Sequence, residues 1–194
     1  MPALAFSNPR VVADIENYLF GTVGPHFRLT GEISKEDFWL ILIWKSNRSK
    51  NATRRAMEKG HKNFDLAISS LATFLHQNDN RQARIIELVI RRQLGLATAT
   101  VILTVLDPDS FTVYDYRVCE QLESFQSLKH CSDGEILWQE YERFVAAVRA
   151  YDPSAINLRA NDKALWGRSL LASIDLELGK NVPKRKSNKN RQRA

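Results

Sequence analysis

The chain has 194 residues, 44% of them hydrophobic, with only eight glycines and six prolines, which is the composition of one folded, mostly helical domain rather than of a disordered chain. No run of about 18 apolar residues occurs, so no membrane span is expected, and MPALAFSNPRVV has neither a basic leader nor a long apolar core, so the expected location is cytoplasmic. The net charge of +6 is segregated. Residues 180–194 hold seven basic side chains and no acid, residues 45–92 hold 11 basic against 4 acidic, and residues 93–179 hold 7 against 13.

In chain order, Ser7-Asn8-Pro9 offers a helix cap with Pro at the first helical position, and VVADIENYLF supplies an apolar stripe. GTVGPHFRLTGE reads as a loop. Ser34 opens SKEDFWLILIWKS, with acids in the first turn where the helix dipole favours them. NATRRAMEKG ends on Gly60 as a left-handed cap, and NFDLAISSLATFLHQ and RQARIIELVIRR are amphipathic at helical spacing. VILTVL and FTVY have strand-like composition, which an all-helical context overrides. CEQLESF, DGEILWQEYERFVAAVRAY and NDKALWGRSLLASIDLEL complete the set of helices. The stripes Trp138, Tyr141, Phe144, Val145 and Trp166, Leu170, Ile174 are read as core. The expected fold is therefore all-α: a single helical domain over residues 5–179 and a disordered basic tail over 180–194.

Few residues carry chemistry on type and spacing alone. Cys119 and Cys131 lack zinc-site spacing and are expected to be free thiols, with a disulfide as the alternative. His26, His61, His76 and His130 form no ligand pair, and Asp107, Asp109 and Asp133 read as turn and cap residues. Asp115 lies between two tyrosines in TVYDYRV, where it caps the following helix, serves as a catalytic carboxylate, or does both. Lys45 and Arg48, one turn apart at a helix end, either meet a phosphate or stay solvated.

The central segment RIIELVIRRQLGLATATVILTVLDPDSFTVYDYRVCEQL reads as a helix, a tight connection over Gln93-Leu94-Gly95-Leu96-Ala97, and a second helix opening at Thr98. Exposed backbone N–H groups at such a helix start suit a phosphate, small Ala97 and Ala99 permit close approach, and Arg91 and Arg92 sit just upstream. An ordinary helix–helix connection is the alternative.

QLGLATATVIL followed by FTVYDYRV resembles the core of the helix-hairpin-helix superfamily of base-excision DNA glycosylases over residues 82–125. Leu94-Gly95 matches the hairpin's Val-Gly pair, Thr98-Ala99 its Thr-Ala, and Asp115 with Val118 its Asp-x-x-Val, while Gln93 stands at the place of the first hairpin glycine. WKSNR (44–48) and DKALW (162–166) are similar to segments of uncharacterised bacterial proteins that share this core, a likeness that carries no function.

The resemblance implies that the amides of Leu94 to Thr98 grip a phosphate of double-stranded DNA, with a monovalent cation at the hairpin as the one cofactor to consider. It implies that Asp115 stabilises the sugar cation and helps to activate water as a damaged or modified base leaves. Strand-cleaving members place a lysine where this chain has Ala97, so the implied enzyme is a monofunctional, water-using glycosylase unless a lysine arrives from elsewhere. Tyr114, Tyr116, Trp39 and Trp44 are the candidate stacking surfaces. A non-catalytic nucleic-acid-binding module and a helical interaction protein with a structural hairpin are the alternatives.

Overall fold

The structure, a computed structural model, describes residues 13–179. The helix expected after Ser7 lies partly outside these residues, and the basic tail lies wholly outside them. The regular secondary structure of the described residues is all helical, with no strand among them.

Helix α1 (Ile15–Tyr18) runs through a wide π turn (Leu19–Val23) into α2 (Gly24–Thr30). The stretch expected as a loop is thus helical up to Gly31, whose φ of 74° ends it. Pro25 falls in the first turn of α2, directly after the π turn. Gly24 is not a breaker but a contact point, because a Cβ there would collide with the Val105 carbonyl oxygen.

Helix α3 (Lys35–Ser46) begins at Ser34, whose Oγ accepts the Asp37 N–H at 3.0 Å. A short 3-10 turn (Asn47–Ser49) leads to α4 (Lys50–Glu58), followed by Gly60 at φ 79°. Asn63 caps α5 (Phe64–Gln77), and Asn80 caps α6 (Arg81–Ile86), which widens into a second π turn (Glu87–Arg91).

Helix α7 (Leu96–Leu106) is the centre of the fold. Every residue in it except Ala97 is buried, and α2, α3, α6 and both π turns pack on it. VILTVL is helical for that reason: a segment apolar all round can satisfy its own backbone inside a core only as a helix. Its buried threonines are satisfied locally, Thr100 Oγ1 donating to the Leu96 carbonyl at 2.9 Å and Thr104 Oγ1 to the Thr100 carbonyl at 2.6 Å.

After α7 the chain turns at Asp107, whose carboxylate meets Arg84 at 2.9 Å, and runs extended and buried from Phe111 to Tyr114. Helix α8 (Tyr116–Gln121), a 3-10 turn (Leu128–His130), α9 (Gly134–Ala150) and α10 (Leu158–Glu177) complete the described chain. Tyr141 and Phe144 of α9 join the core as expected, packing on Phe111 and Tyr114. On α10 the expected apolar stripe is displaced. Its buried face is Leu158, Asn161, Asp162, Leu165 and Ser169, while Ile174 is exposed and Trp166 half-buried. Buried hydrophobic residues from α2 to α10 form one core cluster.

Candidate active site

The extended segment before Asp115 has a defined position because both its neighbours hold its backbone. The Thr112 N–H donates to Tyr141 Oη at 3.1 Å, and Tyr141 Oη donates to the Thr112 carbonyl at 2.7 Å. Two residues on, the Tyr114 N–H donates to Thr100 Oγ1 at 2.9 Å. FTVY therefore replaces strand pairing with hydrogen bonds to the side chains of two helices, which is how a non-helical segment can lie buried here. Asp115 follows immediately and caps α8, its Oδ1 accepting the Arg117 N–H at 2.8 Å. That bond uses one of two carboxylate oxygens.

Asp115 also lines a cavity of about 440 Å³ with Glu16, Lys45, Val113, Arg159, Asp162, Lys163, Trp166 and Gly167. Its size lies within the range of about 300–1,000 Å³ usual for ligand sites. Four separate parts of the chain supply it: α1, the end of α3, the segment before α8, and the first half of α10. The two segments WKSNR and DKALW, more than a hundred residues apart, meet here through Lys45, Asp162 and Trp166.

Charge in the cavity is arranged rather than merely mixed. Glu16 accepts from Lys163 at 3.0 Å and from Arg159 at 3.3 Å. Burial pushes the Glu16 carboxyl upward, but the Lys163 hydrogen bond and the two cations outweigh it and hold it below its ordinary range. Arg159 also bonds Asp162 and lies with its guanidinium 5.0 Å from the Trp44 ring and 5.7 Å from the Phe20 ring. Asp162 is 2% exposed; burial pushes its carboxyl up to about 6, against the pull of Arg159 and Lys45.

Lys45, exposed at the end of α3, lines the cavity. Its Nζ stands 5.4 Å from the Trp44 ring centre and 5.1 Å from that of Trp166. Burial first, and then the Arg159 charge, hold its amine below the usual lysine range, while Asp162, Asp115 and Glu16 oppose them. Among the described residues no carboxylate lies within ion-pair distance of Lys45 Nζ.

The connection between α6 and α7 is built differently. Gln93, at the position of the expected first glycine, has φ 56°, a left-handed conformation that glycine adopts most easily. Its side chain accepts the Lys59 ammonium at 3.0 Å. Gly95 is the N-cap of α7, so that helix opens at Leu96 rather than Thr98. The side chains of Leu94 and Leu96 are core, and the Leu94 N–H is spent on the Leu88 carbonyl at 3.0 Å. The Leu96, Ala97 and Thr98 N–H groups are the orphan donors of the first turn, next to exposed Gly95 and Ala97.

The two basic residues upstream part company. Arg92 is an internal strut, with Nε donating to Glu87 at 2.9 Å and its other nitrogens reaching the Ala67 carbonyl and Ser70 Oγ. Arg91 is mostly exposed and lines a shallow cleft with Lys59, His61 and Gln93. Arg48 is exposed. Of the proposed stacking residues, Tyr114 is buried with its hydroxyl donated to the Phe125 carbonyl, Trp39 packs on Phe64, Trp44 packs on Phe20, and Tyr116 is 62% exposed.

The cavity and the connection share a frame. Ser49, just beyond the Lys45 helix, meets Thr98 Oγ1 at 3.1 Å, and Thr100, two residues further into α7, holds the segment that carries Asp115. No group of three or more His, Cys, Asp or Glu side chains that could hold a metal occurs among the described residues. A cation at the connection would depend on backbone carbonyls, since Gln93 Oε1 already accepts Lys59. Both cysteines are free, Cys119 being buried and its thiol pushed up to about 11 by burial.

The fold and site define a helical protein with a charged interhelical cavity. No protein-family model matches the chain, and no curated protein or solved structure shows significant similarity to it.

Proposed function

We propose that this is a DNA-binding protein of helix-hairpin-helix type that hydrolyses the N-glycosidic bond of a damaged or modified base in double-stranded DNA. The observation that carries this reading is the double placement of Asp115. It caps α8 with one oxygen and lines a ligand-sized cavity beside Lys45 and Trp166, on a backbone anchored to the first turns of α7. A carboxylate so placed stabilises positive charge developing on the sugar as the base departs, and accepts the proton of the attacking water.

DNA binding would use the Leu96 to Thr98 amides, with Gly95 and Ala97 giving a phosphate close access and Arg91, Lys59 and Arg48 adding charge. Arg92 drops out of that set because it braces Glu87. A monovalent cation held by carbonyls of the connection would assist the phosphate contact.

Single-turnover incubation of the protein with duplexes carrying a panel of modified bases tests the activity. Wild type should release one of them, and Asp115→Asn should lose release while keeping DNA affinity. A non-catalytic binding module is favoured by the small, non-nucleophilic Ala97 at the connection. Under that reading, salt-sensitive binding persists in both proteins and no base is released by either.

A further inference from the structure

Helix α10 presents large apolar side chains to solvent on the side away from the core. Its inner face, against α8 and α9, carries Asn161, Asp162 and Ser169 beside Leu158 and Leu165. On the opposite side Leu171, Ile174 and Leu178 recur at helical spacing and are 64%, 44% and 65% exposed. We infer that this outer face docks a second copy of the chain, with the two α10 helices antiparallel about a two-fold axis.

The spacing is that of a helix-pair seam. Leu171, Ile174 and Leu178 stand three and four residues apart, as the a and d positions of a heptad do, and Gly167 extends the same line towards the cavity end of the helix. A glycine inside a helix weakens it relative to alanine. At Gly167 an added Cβ would meet nothing within 4 Å inside the molecule, so no internal contact demands the absence of a side chain. In an antiparallel pair with Leu171 against Ile174 of the second copy, Gly167 receives Leu178 of the second copy, a large residue on a small one. Gly167 also lines the Asp115 cavity, so the pair brings the end of one α10 to the rim of the other copy's cavity.

Charge selects a second copy as the occupant and sets its direction. Exposed Arg168 and half-buried Asp175 flank the seam on one edge, two turns apart. Antiparallel pairing sets Arg168 of each copy against Asp175 of the other, and the two-fold axis makes the contact twice. Parallel pairing would set Arg168 against Lys163 of the second copy, like charge against like. The seam is short and belongs with interfaces below about 1,200 Å², which associate weakly, so a dissociation constant on the order of 10 µM is expected.

Sedimentation of the full chain without DNA, at concentrations on either side of that value, tests the proposal. Wild type should pass from monomer to dimer. Leu171→Asp and Ile174→Asp should each weaken the dimer by about tenfold or more. Arg168→Glu should weaken it several-fold, and adding Asp175→Lys should restore it, since the ion pair returns with its signs exchanged. That charge exchange leaves the apolar seam untouched, and melting temperatures at high dilution should match wild type for every variant. A wild type that stays monomeric throughout, or a dimer that persists in both aspartate variants, overturns the proposal. A dimer strengthened by Arg168→Glu overturns it too, because only parallel helices would gain from that change. Base release is measured separately, so neither proposal falls with the other.

Discussion

The α6–α7 connection and the Asp115 cavity are two ways of presenting charge to a ligand. At the connection the chain is contiguous, the donors are backbone amides, and the nearest arginine is half lost to the interior because Glu87 claims it. In the cavity the groups come from α1, α3, α10 and the segment before α8, and the Glu16 carboxylate of α1 meets two cations placed by α10. A contiguous site costs little to assemble but has little means of tuning its groups. A site assembled across the fold can keep a carboxyl protonated towards neutrality, because the fold holds Asp162 away from water.

Substitutions can separate the two regions, and the largest effect is expected in the cavity. Asp115→Asn should lower base release by about 10²-fold or more while duplex affinity stays near that of wild type, measured by single-turnover release and by equilibrium binding. Equal losses in both would place Asp115 in binding instead. Arg159→Ala strands buried Asp162 and removes a partner from Glu16, and should cost about 3–5 kcal/mol in denaturant unfolding. A cost under 1 kcal/mol would mean that the cavity charges are solvated rather than built.

Thr100→Val keeps the shape of α7 and removes the acceptor of the Tyr114 N–H, so stability should fall by about 1–3 kcal/mol. Base release should fall further than stability explains, since Asp115 follows Tyr114 directly. Asp162 gives a smaller, pH-dependent signature. Its folded value of about 6 lies above its ordinary 3.8, so the folded state binds the extra proton. Its contribution to stability is complete below about 4 and is lost as pH rises through about 6, and Asp162→Asn should flatten that slope in urea titrations across the window.

The connection should give the mildest change. Arg91→Ala should reduce the salt slope of duplex binding by about one and leave folding unchanged, whereas Arg92→Ala should lower the melting temperature. The reverse pattern would exchange the roles assigned to these neighbours.

Local signals were legible where one short segment sufficed. Ser34 caps the helix that follows it, Gly60 is left-handed, and Asp115 is an N-cap, because each of these depends on a backbone group within three residues. Two glycine-based readings failed in instructive ways. Gly24 serves a close helix contact rather than a loop, and a left-handed turn at the connection is made by Gln93 instead of a glycine. Both depend on what packs nearby, which a local pattern does not contain.

The same limit hid most of the cavity. Asp115 stood out alone, and WKSNR and DKALW showed likeness without meaning until the fold brought Lys45, Asp162 and Trp166 together. Glu16 and Arg159 carried no signal, since a lone acid and a lone arginine on amphipathic helices read as solvated faces. Trp166 read as core because its helical spacing matched an apolar stripe, while the α10 face that is buried carries Asn161 and Asp162.

By itself the sequence determined the all-helical character of the described residues, the position of most of their helix starts, and an aspartate poised at one of them. These follow from periodicity and capping, which act over a few residues. Tertiary structure alone decided that Arg92 braces the interior, that Lys45 stands over the rings of Trp44 and Trp166, and that Asp162 keeps its proton longer than an exposed aspartate would. Each of these is a matter of desolvation and of charges brought close in space, and neither is recorded in distance along the chain.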